Sequence, residues 1–279
     1  MRVEAFAPAK INLTLHVTGQ RADGYHLLDS LVVFADIGDR IVAEPASERS
    51  LQVQGAMADG VPADQSNLMW RAADLFDSPQ EAALQLHKDL PAASGIGGGS
   101  SDAAATLRAL SELWGVPMPS SDAVLGLGAD VPVCLHPIAQ RMSGIGEQLT
   151  PLPQLPQFHI VLVNPGVSVA TPAIFRALER RENAPMAELL PTWENAQALA
   201  EWLSDQRNDL QAPAVTLAPE IGTVLAALQA TMPLFSAMSG SGATCFGLYP
   251  STKQAQDAAA HLRRHHADWW VRAGQLLAP

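Results

Sequence analysis

The chain has 279 residues, 48% of them hydrophobic and 16% charged, which is enough to bury a sizeable core in one large or two modest domains. With 28 acids against 17 bases its formal charge is −11, which argues against binding a nucleic-acid backbone, because that affinity rests on clustered Lys and Arg. The longest apolar runs, Leu31 to Ala35 and Ile160 to Val163, fall far short of the ~20 residues a spanning helix needs. Glu4 stands where a signal peptide carries its apolar core, so a cytoplasmic protein that avoids membranes is expected. The two cysteines, Cys134 and Cys245, sit in apolar stretches that suit buried thiols, and neither fits a disulfide framework or a zinc spacing.

In chain order, Ile11 to Val17 alternates with period two and reads as a strand with Lys10, Asn12, Thr14 and His16 on one face. A polar turn over Gly19 to Gly24 leads to Tyr25 and His26 and a second apolar strand ending near Asp39. Arg40 to Ala43 and Leu51 to Gln54 continue as an antiparallel meander. Helical spacing runs from Asn67 to Phe76, and Ala83 to Lys88 alternates again. After Ser101 the apolar residues Ala104, Leu107, Leu110 and Trp114 predict a buried helix, stopped by Gly115 and Pro117. The Pro-rich run Thr150 to Pro156 predicts a linker, with one domain over 1–150 and a second over 151–279. The second half reads as a strand (158–163), helices over 172–181, 186–204 and 219–231, a strand entering Met238, a strand over 244–248, a helix over 252–265 and a last strand near Trp270. This order suits an α+β sandwich better than a doubly wound sheet.

Two glycine-rich loops stand out, Gly95-Ile96-Gly97-Gly98-Gly99-Ser100-Ser101 and Ser239-Gly240-Ser241-Gly242. The first is neither a dinucleotide fingerprint, since its sixth residue is Ser100, nor a Walker A loop, since no Gly-Lys-Ser/Thr closes it. It offers backbone amides at a helix start, two hydroxyls and no loop lysine, which predicts a cradle for a nucleotide polyphosphate. The plain alternative is a turn capped by Ser101. For the second loop the alternative is a hairpin turn between core strands. Asp102 is expected to cap the helix and point away from phosphate.

Pro8-Ala9-Lys10-Ile11-Asn12, the stretch Pro91 through Asp102, and Ser239-Gly240-Ser241-Gly242 resemble the three signature motifs of the GHMP kinase superfamily. The resemblance implies a two-domain α+β fold, with an N-terminal half like domain 2 of ribosomal protein S5 and a ferredoxin-like α/β sandwich after it. It implies ATP held over Pro91, Ser94, Gly95, Ile96, Gly97, Gly98, Gly99, Ser100 and Ser101, meeting its acceptor between the halves. Mg²⁺ would bridge phosphate oxygens near Ser100 or Ser101, with no acidic cage of its own. Gly19 through His26 and Gly128-Ala129-Asp130-Val131-Pro132 resemble the members that phosphorylate the 2-hydroxyl of a cytidine-diphosphate-linked methylerythritol, an isoprenoid precursor of the non-mevalonate pathway.

By that resemblance Asp130 is the catalytic base and Lys10 its partner, and elementary chemistry agrees. A carboxylate within reach deprotonates a weakly nucleophilic hydroxyl, and a neighbouring ammonium keeps it ionised. Tyr25 and His26 match the cytidine pocket and Phe175 its opposite stacking surface, while Asn12, Thr171 and Gly240 match contacts to the diphosphate or polyol. Taken alone, Asp130 also reads as a turn acid, Lys10 as a solvated strand residue and Phe175 as a helix anchor. Three positions depart from the family pattern: Ser94, Ile96 and Val32, the last where an aromatic often walls the cytosine, with Phe34 the candidate substitute. The connection from Gly115 to Gly128 reads as shorter than the family's helix-bearing one. A homoserine or mevalonate type kinase, which has no base to recognise, and a non-catalytic nucleotide sensor stand as the rival readings. The sequence leaves oligomeric state open.

Overall fold

Residues 1–152 and 155–277 are described by the computed structural model, and they group by contact into two units that interleave along the sequence. Residues 1–10, 38–92 and 97–137 form the first; residues 11–37, 93–96 and 138 onward form the second. The expected division after residue 150 differs from this grouping. The boundary runs through strands, so 11–37 and 138–150 side with the C-terminal part.

The first unit holds the start of β1 (Val3–Asn12), the end of β3 (His26–Ala46), β4 (Ser50–Gln54), α1 (Leu68–Ala73), β5 (Glu81–His87), α2 (Gly98–Trp114), α3 (Ser121–Leu127) and α4 (Val131–Leu135). Strand β3 pairs antiparallel with β5 from Arg40 opposite His87 to Ala46 opposite Glu81, and β4 runs parallel to β5. The expected meander therefore fails at β4. A parallel neighbour needs a crossover, and α1, capped by the Asn67 side chain accepting from the Met69 amide at 2.9 Å, lies in it. The sequence also splits β3 in two between Asp39 and Arg40, where the structure has one continuous strand. Gly38 serves close approach instead of a turn, since a Cβ there would sit 2.8 Å from Pro8 Cα. Ala7, Ile41, Leu84 and Leu86 of the strands meet Met69, Ala105, Ala109 and Leu110 of α1 and α2 in one buried cluster. Gly115 ends α2 in the left-handed region, as its sequence predicts.

The second unit contains β2 (His16–Gln20), the start of β3, β6 (Gln140–Gly144) and β7 (Gln148–Pro151), with β2 and β6 both antiparallel to β3. A separate sheet of order β11-β8-β10-β9 is built from β8 (His159–Asn164), β9 (Phe235–Met238), β10 (Cys245–Tyr249) and β11 (Trp270–Gln275). Helices α5 (Thr171–Arg176), α6 (Ala196–Ser204), α7 (Gln211–Leu217), α8 (Glu220–Ala230) and α9 (Thr252–His265) complete it. Val161, Val163, Cys245, Tyr249 and Val271 of the sheet bury against Ile221, Val224, Leu228, Ala255 and Leu262.

The strand expected over Ile11 to Val17 breaks after Asn12. The Leu15 amide donates to Arg207 at 2.9 Å and its carbonyl accepts from Asp209, so this backbone pairs with 207–209 instead of continuing in β1. The helix expected over 186–204 begins only at Ala196, and α5 stops at Arg176. In the expected linker Thr150 and Pro151 end β7, while Pro153 and Gln154 lie outside the described residues. No helix among the described residues is long and apolar enough to cross a membrane.

Candidate active site

Lys10 near the end of β1 and Asp130 at the start of α4 lie in the first unit, with Lys10 Nζ 2.8 Å from Asp130 Oδ1. The lysine side chain is 4% exposed and the carboxylate 40%, so the ammonium is held inside and the carboxylate faces solvent. Lys10 is thus not the solvated strand residue of the plain alternative. Asp130 occupies the N-cap of α4 yet makes no capping bond with its side chain. Ahead of it the connection from Gly115 to Gly128 does carry a helix, α3, capped by Ser120. That helix is seven residues long.

The first glycine loop opens α2 as the sequence predicts. Its N-cap is Gly97 in the left-handed region (φ 62°), with no side-chain capping bond, so the first-turn amides of α2 are left for an anion. Gly97, Gly98 and Ser100 are half-buried and Gly99 is exposed. Glycine is required at 97 for a second reason: a Cβ would lie 3.2 Å from Lys10 Cβ and Cε. The stem of the lysine therefore rests on the loop.

Ser101 corrects two expectations. It does not cap the helix, and its hydroxyl donates to the Pro8 carbonyl at 2.8 Å while its amide donates to Gly97, so both groups face inward. Ile96 and Pro91 are likewise buried, leaving their backbone as what they can offer. Asp102 is no cap either. It lies in the first turns of α2, buried, and accepts from Lys88 Nζ at 2.7 Å; Lys88 also donates to Asp39 at 2.5 Å. Burial pushes the Asp102 carboxyl up to about 8, with Lys88 opposing and Asp39 adding to the rise. Burial alone would lower Lys88, but the two carboxylates raise it. Asp39 Oδ1 accepts from the amides of Asp89 and Leu90 at 2.6 and 2.8 Å, tying down the approach to Pro91. The loop has no lysine in sequence, yet a Cβ on Gly98 would stand 3.2 Å from Lys88 Nζ. The one available signal was a Lys closing an alternating strand three residues before Pro91.

In the second unit the Ser239 loop is a hairpin turn between β9 and β10, with Cys245 opposite Met238. It packs on the opening of the first loop: Ser239 Oγ donates to the Gly95 carbonyl at 3.0 Å and accepts from the Asn12 amide at 3.1 Å, and the Thr244 amide donates to Ser94. A Cβ on Gly95 (φ 76°) would meet Ser239 O at 2.5 Å and Gly242 N at 2.6 Å, and one on Gly240 would meet Gly95 O at 2.7 Å. Asn208, which the sequence did not single out, donates to the carbonyls of Met238 and Gly240 at 2.8 and 2.9 Å. Thr171 and Ser241 share a hydrogen bond of 2.7 Å between hydroxyls. Asn12 donates to Ser30 at 2.7 Å, but its own Oδ1 is buried without a partner among the described residues.

His26 and Phe175 come together, but as a stacked pair with ring centroids 4.4 Å apart. His26, expected at the edge of a base, thus covers one face of Phe175, the ring expected to offer a stacking surface opposite Tyr25. Burial and then Arg181 lower the His26 pKa, which keeps the ring neutral. Tyr25 is 58% exposed. Val32 and Phe34 are both fully buried in β3, so neither walls a ligand, and the substitution of Val for an aromatic is a core matter. Among the described residues no cluster of three or more His, Cys, Asp or Glu could hold a metal ion.

The GHMP kinases N terminal domain matches residues 67–139 and the GHMP kinases C terminal domain matches residues 186–268. The chain belongs to the GHMP kinase family, an assignment its relatives make more specific. It is 57% identical over 279 residues to the 4-diphosphocytidyl-2-C-methyl-D-erythritol kinase of Ruegeria pomeroyi, covering 99% of this chain and all of the relative. With the kinase of the same name from Cereibacter sphaeroides (strain ATCC 17025 / ATH 2.4.3) it shares 58% over 275 residues, 98% of this chain and 99% of the other. A crystal structure of 4-(cytidine 5'-diphospho)-2C-methyl-D-erythritol kinase matches with a TM-score of 0.80 and 35% identity, over 99% of this chain and 100% of that one.

Proposed function

We propose that the Lys10–Asp130 pair promotes transfer of the γ-phosphoryl of ATP to the 2-hydroxyl of 4-diphosphocytidyl-2-C-methyl-D-erythritol, the compound whose kinases the relatives are named as. The observation that carries the reading is the 2.8 Å ion pair whose lysine stem rests on the glycine loop. Asp130 accepts the hydroxyl proton, and the Lys10 ammonium pairs with the carboxylate and offsets charge on the transferring group. Phosphoryl transfer asks little further covalent chemistry of the protein, so positioning dominates. The triphosphate lies against the amides of Gly97, Gly98, Gly99 and Ser100, with the approach through Pro91, Ser94, Gly95 and Ile96 contributing backbone. Residues 1–150 thereby carry nucleotide and catalysis.

The donor set suits a Mg²⁺ that arrives on the nucleotide, since the metal keeps mostly phosphate and water ligands. Ser100 Oγ and the exposed Asp130 carboxylate are the groups of this chain that would touch it, Ser101 being spent on Pro8. Bound there, the ion would offset charge on the phosphate oxygens. In the second unit Phe175 and Tyr25 offer aromatic faces to cytosine, and the neutral His26 a hydrogen-bonding edge. Asn12 Oδ1 accepts from the polyol, and Thr171 and Gly240 line the same ligand. With ATP and the acceptor both small intracellular metabolites, we propose a cytoplasmic enzyme.

The test is incubation with ATP, Mg²⁺ and a panel of the cytidine diphosphate substrate, homoserine and mevalonate, with product masses read out. A single phosphoryl added to the cytidine compound is expected, and preference for homoserine or mevalonate, or no transfer, refutes the reading. Asp130→Asn should lower kcat by about 10²–10⁴ with ATP binding intact.

A further inference from the structure

Arg108 sits in the middle of α2, on the helix opened by the glycine loop, and its side chain donates to backbone outside that loop. Its Nη1 donates to the carbonyls of Cys134 at 2.9 Å and Leu135 at 3.2 Å, and its Nη2 donates to the Phe6 carbonyl at 2.8 Å. Those three oxygens belong to the two elements that carry the catalytic pair. Cys134 and Leu135 are the last residues of α4, which begins right after Asp130, and Phe6 precedes Lys10 in β1. We propose that Arg108 is a positioning residue for phosphoryl transfer, fixing α4 against β1 so that the Asp130 carboxylate and the Lys10 ammonium stay in register.

Three observations carry this. Helix α4 is five residues long, so it has almost no internal ladder, and its terminal carbonyls need an outside donor. The guanidinium holds Nη1 on the α4 carbonyls and Nη2 on β1 in one rigid plane, and its charge suits the negative end of the helix dipole. Asp130 has no side-chain bond to its own backbone, so apart from the ion pair its position follows α4. A tilt of so short a helix at Leu135 reaches Asp130 undamped. The phosphate loop, at the other end of α2, has its own restraints in Ser101 on Pro8 and in the Lys88 cluster, so losing Arg108 leaves it in place.

The inference rests on the proposed roles of Lys10 and Asp130, and the test separates the two. Arg108→Met, Arg108→Lys and Asp130→Asn are compared with the parent enzyme in steady-state assays well below every unfolding transition. Arg108→Met should lower kcat by roughly tenfold to a hundredfold, the cost of an ångström-scale misplacement. KM for ATP and for the cytidine substrate should stay within about twofold, the signature of an interaction felt in the transition state alone. Arg108→Lys, which can still reach the α4 carbonyls, should recover part of kcat. A folded Arg108→Met with lowered Tm and parental kcat overturns the proposal and leaves Arg108 a stabilising cap. A rise in KM for ATP in step with the loss also overturns it, because the effect would then run through the loop. If Arg108→Met does not fold, Arg108→Lys decides: reduced kcat at unchanged KM supports the proposal and parental kcat refutes it. Parental turnover by Asp130→Asn would overturn the catalytic reading instead, whatever the Arg108 variants do.

Discussion

Replacing Lys88 by Met should destabilise the protein in a pH-dependent way, and the size follows from its surroundings. The lysine side chain is 3% exposed, and its partners Asp39 and Asp102 are 0% and 5% exposed. Removing one member of a buried ion pair typically costs about 3–5 kcal/mol, because the remaining charge is left uncompensated. For a protein of this size that is a fall in Tm of roughly 6–20 °C at pH 8. Lys88 donates to both carboxylates, and burial pushes Asp102 up to about 8, so the loss of Lys88 leaves two buried acids with no cation between them. Without Lys88 the buried acid pair is relieved only by taking up a proton. The folded variant then holds more protons than the folded parent, and its deficit shrinks by up to about 1.4 kcal/mol for each pH unit lowered. Urea unfolding of both proteins at pH 8, 7 and 6 measures the difference directly. A deficit below about 1 kcal/mol at pH 8, or one that does not change with pH, refutes the argument, the first because surface pairs behave that way.

The other predictions concern the loops, the aromatic pair and a buried histidine. Gly95→Ala forces a side chain into the left-handed region and against backbone atoms of Ser239 and Gly242; about 2–5 kcal/mol of stability should go, and an unchanged Tm would contradict the packing. Phe175→Ala should raise KM for the cytidine substrate about tenfold, the worth of one stacked base, and leave KM for ATP alone; equal changes in both would argue against stacking there. His16 is buried with neither ring nitrogen in a regular hydrogen bond among the described residues, and burial and then Arg207 lower its pKa against the opposing pull of Asp209, Asp29 and the Ala184 backbone. A depressed folded pKa means that the unfolded chain binds the proton first. The stability present above pH 6.5 is therefore lost as pH falls toward the lower folded value. His16→Leu should flatten that acid limb in unfolding experiments, and parallel slopes for the two proteins would exclude His16 as its source.

Much of this molecule could be read from residues alone where local chemistry decides the outcome. The helix after Ser101 with its Gly115 stop, the helix over 252–265 and both glycine loops fall into that class. The readings fail where distant groups intervene. Met186 to Asn195 has helical spacing, but Arg141 takes the carbonyls of Met186, Ala187 and Glu188, and Asp29 takes the Met186 amide, so the backbone groups of a helix ladder are spent elsewhere. Pro191 adds a missing donor within the same stretch. Strands β6 and β7 escaped notice because Gln140-Arg141-Met142-Ser143-Gly144 has no apolar alternation; their pairing is set by β3. The same holds for the site. Lys10 and Asp130 were legible through motifs 120 residues apart, whereas the Lys88 cluster and Asn208 were not, since each acts through partners that only folding brings near.

The two thiols sit one in each unit, Cys134 in the first and Cys245 in the second, and both are wholly shielded. Burial drives Cys134 up to about 12 and raises Cys245 as well, so neither forms thiolate at neutral pH while its surroundings hold. The native enzyme thus comes with a pair of silent reporters. The order in which an alkylating reagent labels them during slow denaturation gives, without any engineered tag, the order in which the two halves of the architecture let go.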